Sequence, residues 1–270
     1  MSEVSPPPSQ HPHRGGLSPD FNLGDSLGAA REGDTEFTLP NAVEAADRLW
    51  TDIYTDPKTG LYNEKAFREN LERTIENLDE GDELICYFAD LNGFKVVNDE
   101  YQHEGGDEVL GIVGEVINST FQRDTDIKAR GSRDNNSANN IARLGGDEFS
   151  VVTVTKANDE RRRGSLRGEE AIIHMAEIAN EKLQERLVTT KFKGAKVSLA
   201  IGGAIYQKGD TAKSLIVKAD FEMFRVKYAS KIQRITDEDR ARLREIIPYI
   251  EDLGSRVDDW LKQEAFAEAA

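Results

Sequence analysis

An α+β fold with a mainly antiparallel central sheet flanked by helices is predicted by two observations. Short apolar, strand-like runs alternate with stretches of helical periodicity, and two of the runs are joined by a tight glycine turn. The chain has 270 residues, enough to bury a core without disulfide staples.

The elements follow in order. Residues 1–40 are rich in Pro, Gly, Ser and acids without apolar period, and read as a disordered tail. Val43, Ala46, Leu49, Trp50 and Ile53 predict a short helix within 41–55, broken by Pro57 and Gly60. Asn63 is a suitable N-cap for a second helix carrying Phe67, Leu71, Ile75 and Leu78 on one face. Residues 84–89, LICYFA, read as a buried strand, and Leu110, Val113, Ile117 and Phe121 mark a helix over about 108–121. A polar stretch over 123–140 reads as a loop. The runs IARL and FSVVTV then flank Gly145–Glu148 as a β-hairpin. A helix through Ile172 to Leu187, a strand from Val197 and a helix over about 215–231 follow. The last segment, 235–270, is helical in pattern, with Thr236 as cap and Pro248 as a break.

Composition excludes several functions. The net charge of −15 argues against a general nucleic-acid binder. No apolar stretch approaches the ~20 residues of a membrane span, and the first residues lack a signal peptide's apolar core. Cys86 is alone, so no disulfide framework or cysteine zinc site is expected, and a cytoplasmic location is the natural one. Residues 1–40 carry six acids against two bases and residues 236–270 ten against five. Much of the acidity therefore lies in the appendages.

Three segments could carry chemistry. In the hairpin tip, Gly145 and Gly146 permit a sharp turn, while Asp147 and Glu148 place adjacent like charges at a sheet rim. A solvated acidic turn would also account for these four residues alone. Asp90 directly follows the first strand, where a carboxylate suits a hard cation; magnesium takes one or two carboxylates plus water and phosphate oxygens. Lys95 is near enough in sequence to face a phosphate. Asn98 and Asp107 offer an amide and a carboxylate for a guanine edge, or serve as helix-end residues.

Together these segments resemble the GGDEF family of diguanylate cyclases, in order over about 175 residues. Residues 56–63, DPKTGLYN, are similar to the family's D-x-L-T-G-L-x-N with Lys58 in place of Leu. Residues 90–99, DLNGFKVVND, resemble D-[ILV]-D-x-F-K-x-x-N-D, and residues 103–110 match H-x-x-G-D-x-x-L. The signature RLGGDEF stands intact at 143–149, and Ala219, Asp220 and Lys227 resemble the last motif. The resemblance implies a fold like the palm of polymerases and nucleotide cyclases, occupying residues 56–234. It implies condensation of two GTP into cyclic di-GMP by a homodimer, with magnesium, or manganese in its place, as cofactor. Asp90, the Leu91 carbonyl, Asp147 and Glu148 would hold the metal. Asp147 would help deprotonate the attacking hydroxyl, and Lys95 would offset developing charge. Asn98, His103 and Asp107 would contact guanosine, His103 serving equally well as a structural residue on the helix-entry loop, and Lys227 and Lys231 would hold the phosphates.

Some residues depart from that pattern. Asn92 stands where a second Asp is usual, and Ser230, Lys231 and Ile232 replace the closing Gly-Arg-Asn. The usual RxxD of product inhibition is absent just before the signature. Arg123 and Asp126 form one earlier, displaced by about 13 residues. They are candidates for that site, or a charged helix end. The alternative to an enzyme is a catalytically silent module that binds GTP or cyclic di-GMP as a signalling or scaffold domain. A protein partner could dock on the N-terminal tail or the C-terminal helices.

Overall fold

The computed structural model describes residues 48–121, 140–157 and 166–228. A helical segment over 48–54 leads into α1 (Glu64–Glu76). The chain continues as β1 (Glu83–Asn92), α2 (Phe94–Phe121), β2 (Asn140–Gly145) and β3 (Glu148–Thr155). It ends as α3 (Gly168–Val188), β4 (Ser198–Ile205) and α4 (Ala212–Tyr228). The four strands form one sheet in the order β2-β3-β1-β4, with every neighbouring pair antiparallel. The α+β expectation is met. The predicted tail, the polar loop with Arg123 and Asp126, the C-terminal segment and Lys231 lie outside the described residues.

Successive side chains of a strand point to opposite faces, and β1 is buried on both. Ile85, Tyr87, Ala89 and Leu91 pack with Val109, Val113 and Ile117 of α2 and Leu183 of α3. Leu84, Cys86 and Phe88 pack with Phe67 and Leu71 of α1 and Leu215 and Met223 of α4. This two-sided burial is why the β1 sequence shows a continuous apolar run rather than alternation. On the second face, Gly202 lets α4 lie against β4: a Cβ there would come within 1.9 Å of the Met223 nitrogen. Cys86 belongs to this core, and burial pushes its thiol up to about 12, so it is no nucleophile.

Asn63 caps α1 as expected, its Oδ1 accepting from the Ala66 N–H at 3.0 Å, while its Nδ2 donates to the Ile53 carbonyl at 2.8 Å. One side chain thus starts α1 and ties the 48–54 segment to it. Asn63→Ala is expected to cost about 1–2 kcal/mol, read as a lowered denaturation midpoint.

Two boundaries differ from expectation. Asp90 lies within β1 rather than after it, because β3 and β4 both pair with it, through Glu148 and Ala200. The helix expected from 108 begins at 94. Gly93, at φ +82, turns the chain directly out of β1, and a Cβ there would meet the Lys196 carbonyl at 2.2 Å. Gln102, at φ 61 and ψ 179, then kinks α2 into two halves. That conformation is strained for a residue with a side chain.

Candidate active site

The signature forms the turn between β2 and β3. Gly146, at φ +51, supplies a backbone that side chains rarely adopt, and this puts Asp147 at the tip and Glu148 at the start of β3. The Leu91 N–H donates to the Asp147 carbonyl at 3.2 Å, clamping the tip onto β1. Asp90 stands directly opposite Glu148. Directly paired residues present their side chains on one face, so two carboxylates share a face and a third lies beside them.

Asp90 is only 4% exposed. Lys227, from the last turn of α4, brings its Nζ to 2.7 Å from Asp90 Oδ1. The pair meets by distance but not by hydrogen-bond direction, so that buried oxygen accepts no directed hydrogen bond. Burial, then the charges of Asp90 and Glu148, hold the Asp147 carboxyl above the usual carboxylate range, with Lys227 acting against them.

The donor set fits magnesium. It is all oxygen, it includes a buried carboxylate oxygen lacking a directed partner, and its crowded negative charge is what a divalent cation relieves. Among the described residues no three acidic, His or Cys side chains converge tightly enough to coordinate one ion by themselves. The remaining positions would fall to water and phosphate oxygens, as is usual for this ion.

The other predicted residues lie along α2. Lys95 is exposed in its first turn, just beyond Gly93, with no ion pair among the described residues. Asn98 is partly buried, and a Cβ on Gly106 would come within 2.0 Å of its Oδ1. His103 is exposed immediately after the Gln102 kink. Asp107 pairs with Lys58, both side chains being nearly half exposed at 46% and 44%.

Arg143 has a position that its place in the signature did not disclose. Its Nη1 donates to Asp56 Oδ2 at 2.7 Å, while Nη2 and Nε donate to the Gly146 carbonyl at 2.7 and 3.1 Å. Asp56 in turn accepts from the N–H and hydroxyl of Thr59. The loop over 55–63 and the signature turn are therefore one hydrogen-bonded unit. The matching motif ends at Asp56 and Arg143 were the only sequence signal for it.

A groove of about 990 Å³ lies elsewhere, between α3, β4 and α4, and contains none of the predicted site residues.

The family profile described as "Diguanylate cyclase, GGDEF domain" matches residues 53–233. The chain belongs to the GGDEF family. Within that family it is 37% identical over 134 residues to diguanylate cyclase DgcP of Escherichia coli, covering 47% of this chain and 35% of that protein. It is 27% identical over 182 residues to diguanylate cyclase DgcP of Pseudomonas aeruginosa, covering 66% and 23%. The chain thus spans about a third or less of these curated relatives. The GGDEF fold is shared with the coiled coil and GGDEF domain of DgcB from Caulobacter crescentus, solved with c-di-GMP. That likeness has a TM-score of 0.55 at 22% identity, over 77% of this chain and 93% of that one. Among the described residues no helix is long and apolar enough to cross a membrane.

Proposed function

We propose that this GGDEF protein is a cytoplasmic diguanylate cyclase, a magnesium-dependent nucleotidyltransferase active as a homodimer. It condenses two GTP into cyclic di-GMP and releases two pyrophosphates, each copy presenting one GTP to the other. The observation that carries the reading is the pairing of Asp90 with Glu148 beside the Gly146–Asp147 turn, which gathers three carboxylates and Lys227 at one sheet end. A merely structural turn has no use for that repulsion.

Asp90, the Leu91 carbonyl, Asp147 and Glu148 would hold the metal, which when bound offsets charge on the triphosphate and the leaving pyrophosphate. Asp147 accepts the proton of the attacking 3′-hydroxyl; its raised pKa makes it a better base than an ordinary carboxylate. Lys95, exposed at the start of α2, faces charge developing on the α-phosphate. Lys227 divides its charge between Asp90 and the substrate phosphates, with Lys231 as its companion. Asn98, His103 and Asp107 hold guanosine. Arg123 and Asp126 are the candidates for product inhibition.

Purified protein incubated with GTP and magnesium is expected to form cyclic di-GMP and pyrophosphate. Specific activity should rise with protein concentration as dimers form. Binding of GTP without product would instead identify a silent signalling module.

A further inference from the structure

Lys58 stands where the family's opening motif has leucine. Its ammonium reaches across 49 residues of sequence to Asp107 Oδ1, and both side chains remain accessible. An exposed pair of this kind adds little to stability, so folding gives it no clear use. Its position suggests another. Asp107 directly follows Gly106, against which Asn98 Oδ1 is pressed. The ammonium and the carboxylate thus meet beyond the strained Gln102 kink, with the Asn98 amide on the preceding half of α2 facing the neighbouring Gly106. Strain held at such a point is a feature of ligand sites more than of plain helices.

These groups complement one purine edge. Guanine presents an acceptor at O6 beside donors at N1–H and the 2-amino group, whereas adenine presents a 6-amino donor beside an acceptor at N1. A carboxylate answers the two guanine donors but offers nothing to O6. An ammonium has only donors, so beside the carboxylate it completes the match to guanine. Against adenine the same pair sets donor against donor and acceptor against acceptor.

We propose that Lys58 is a specificity-determining residue of the base site, donating to guanine O6 while Asp107 accepts from N1–H and the 2-amino group. The inference rests on the cyclase reading of the same site, and adds a residue at which this chain departs from its family's motif.

The test is calorimetric titration of the full chain, with magnesium, using the α,β-methylene analogue of GTP and its adenosine counterpart. Neither can release pyrophosphate, so binding is read without turnover. Lys58→Leu is expected to weaken the guanosine analogue about tenfold without weakening the adenosine analogue, whose 6-amino donor no longer faces the ammonium. Lys58→Arg, which keeps a charged donor, should retain most of the guanine preference. Lys58→Met, with an unbranched stem, serves if the leucine variant fails to fold. An equal loss for both analogues would mean a general charge effect on the triphosphate and would overturn the proposal. Unchanged or tighter guanosine binding would overturn it too, leaving the cyclase reading intact. Failure of the wild-type chain to bind the guanosine analogue would overturn the cyclase reading, and this inference with it.

Discussion

Replacing Asp147 by asparagine is expected to abolish cyclic di-GMP formation while raising the melting temperature at neutral pH. The two effects have one cause. Burial and the neighbouring charges of Asp90 and Glu148 disfavour the ionised form of Asp147 in the folded protein. The unfolded chain, where the carboxyl is solvated and isolated, bears no such penalty. Asparagine keeps the shape and removes the charge, so the fold is relieved of repulsion. The proposed proton acceptor for the 3′-hydroxyl is lost with it, and turnover should fall on the order of 10³-fold.

The sign of the pH dependence follows from linkage. The folded protein holds the Asp147 proton to higher pH than the unfolded chain does. Stability therefore falls as pH rises from the ordinary carboxylate value to the raised folded one. Above that window the loss is constant; below it the group is neutral in both states. The stability gain of Asp147→Asn should accordingly be present at neutral pH and vanish in acid, as scanning calorimetry across the range would show. A melting temperature that drops at neutral pH would refute the repulsion argument. Retained turnover would refute the assignment of Asp147 as base.

The parts of this molecule readable from its sequence are those encoded locally. Asn63 lies next to the turn it caps, the RLGGDEF run contains both glycines and both acids of its own turn, and the unbroken apolar run of β1 signals burial on two faces. What the sequence did not disclose depends on partners distant along the chain. Asp90 reads as a residue beyond a strand because strand ends are decided by pairing, and its partners lie 58 and 110 residues away. The first half of α2 escaped because it is short: Phe94, Val97 and Tyr101 pack against the core at helical spacing, but only Val97 is fully buried and the kink at Gln102 ends the run there. The Lys58–Asp107 pair is likewise invisible locally, since it is fixed by how the 55–63 loop lies on α2, where Thr59 packs against Gly114. Lys227 shows a subtler gap. The motif marks it as a site residue, yet only the fold shows its charge resting on Asp90.

Removal of Arg143 is expected to be the most destabilising single change at the site. With its side chain 10% exposed against 14% for Asp56, the pair is shielded from solvent, and truncating one partner leaves the other a buried charge. Breaking such a pair costs about 3–5 kcal/mol, which for a domain of this size corresponds to a melting shift of roughly 6–20 °C. Arg143→Ala also frees the Gly146 carbonyl, so the turn that presents Asp147 loses its anchor, and turnover should fall although Arg143 acts only by positioning. Arg143→Lys keeps the charge but not the planar fork that reaches Asp56 and Gly146 together, and should fall between. A double-mutant cycle with Asp56→Ala separates the contributions: the two losses should fail to add, because the second substitution removes a charge the first has already orphaned. If they add fully, the pair is not what joins the two segments. The loop would then be held by its backbone alone, through Tyr62 N–H to the Ile141 carbonyl and Arg143 N–H to the Tyr62 carbonyl. Those bonds survive any side-chain change, so the cycle decides whether the side chains or the backbone carries the coupling between the first motif and the signature.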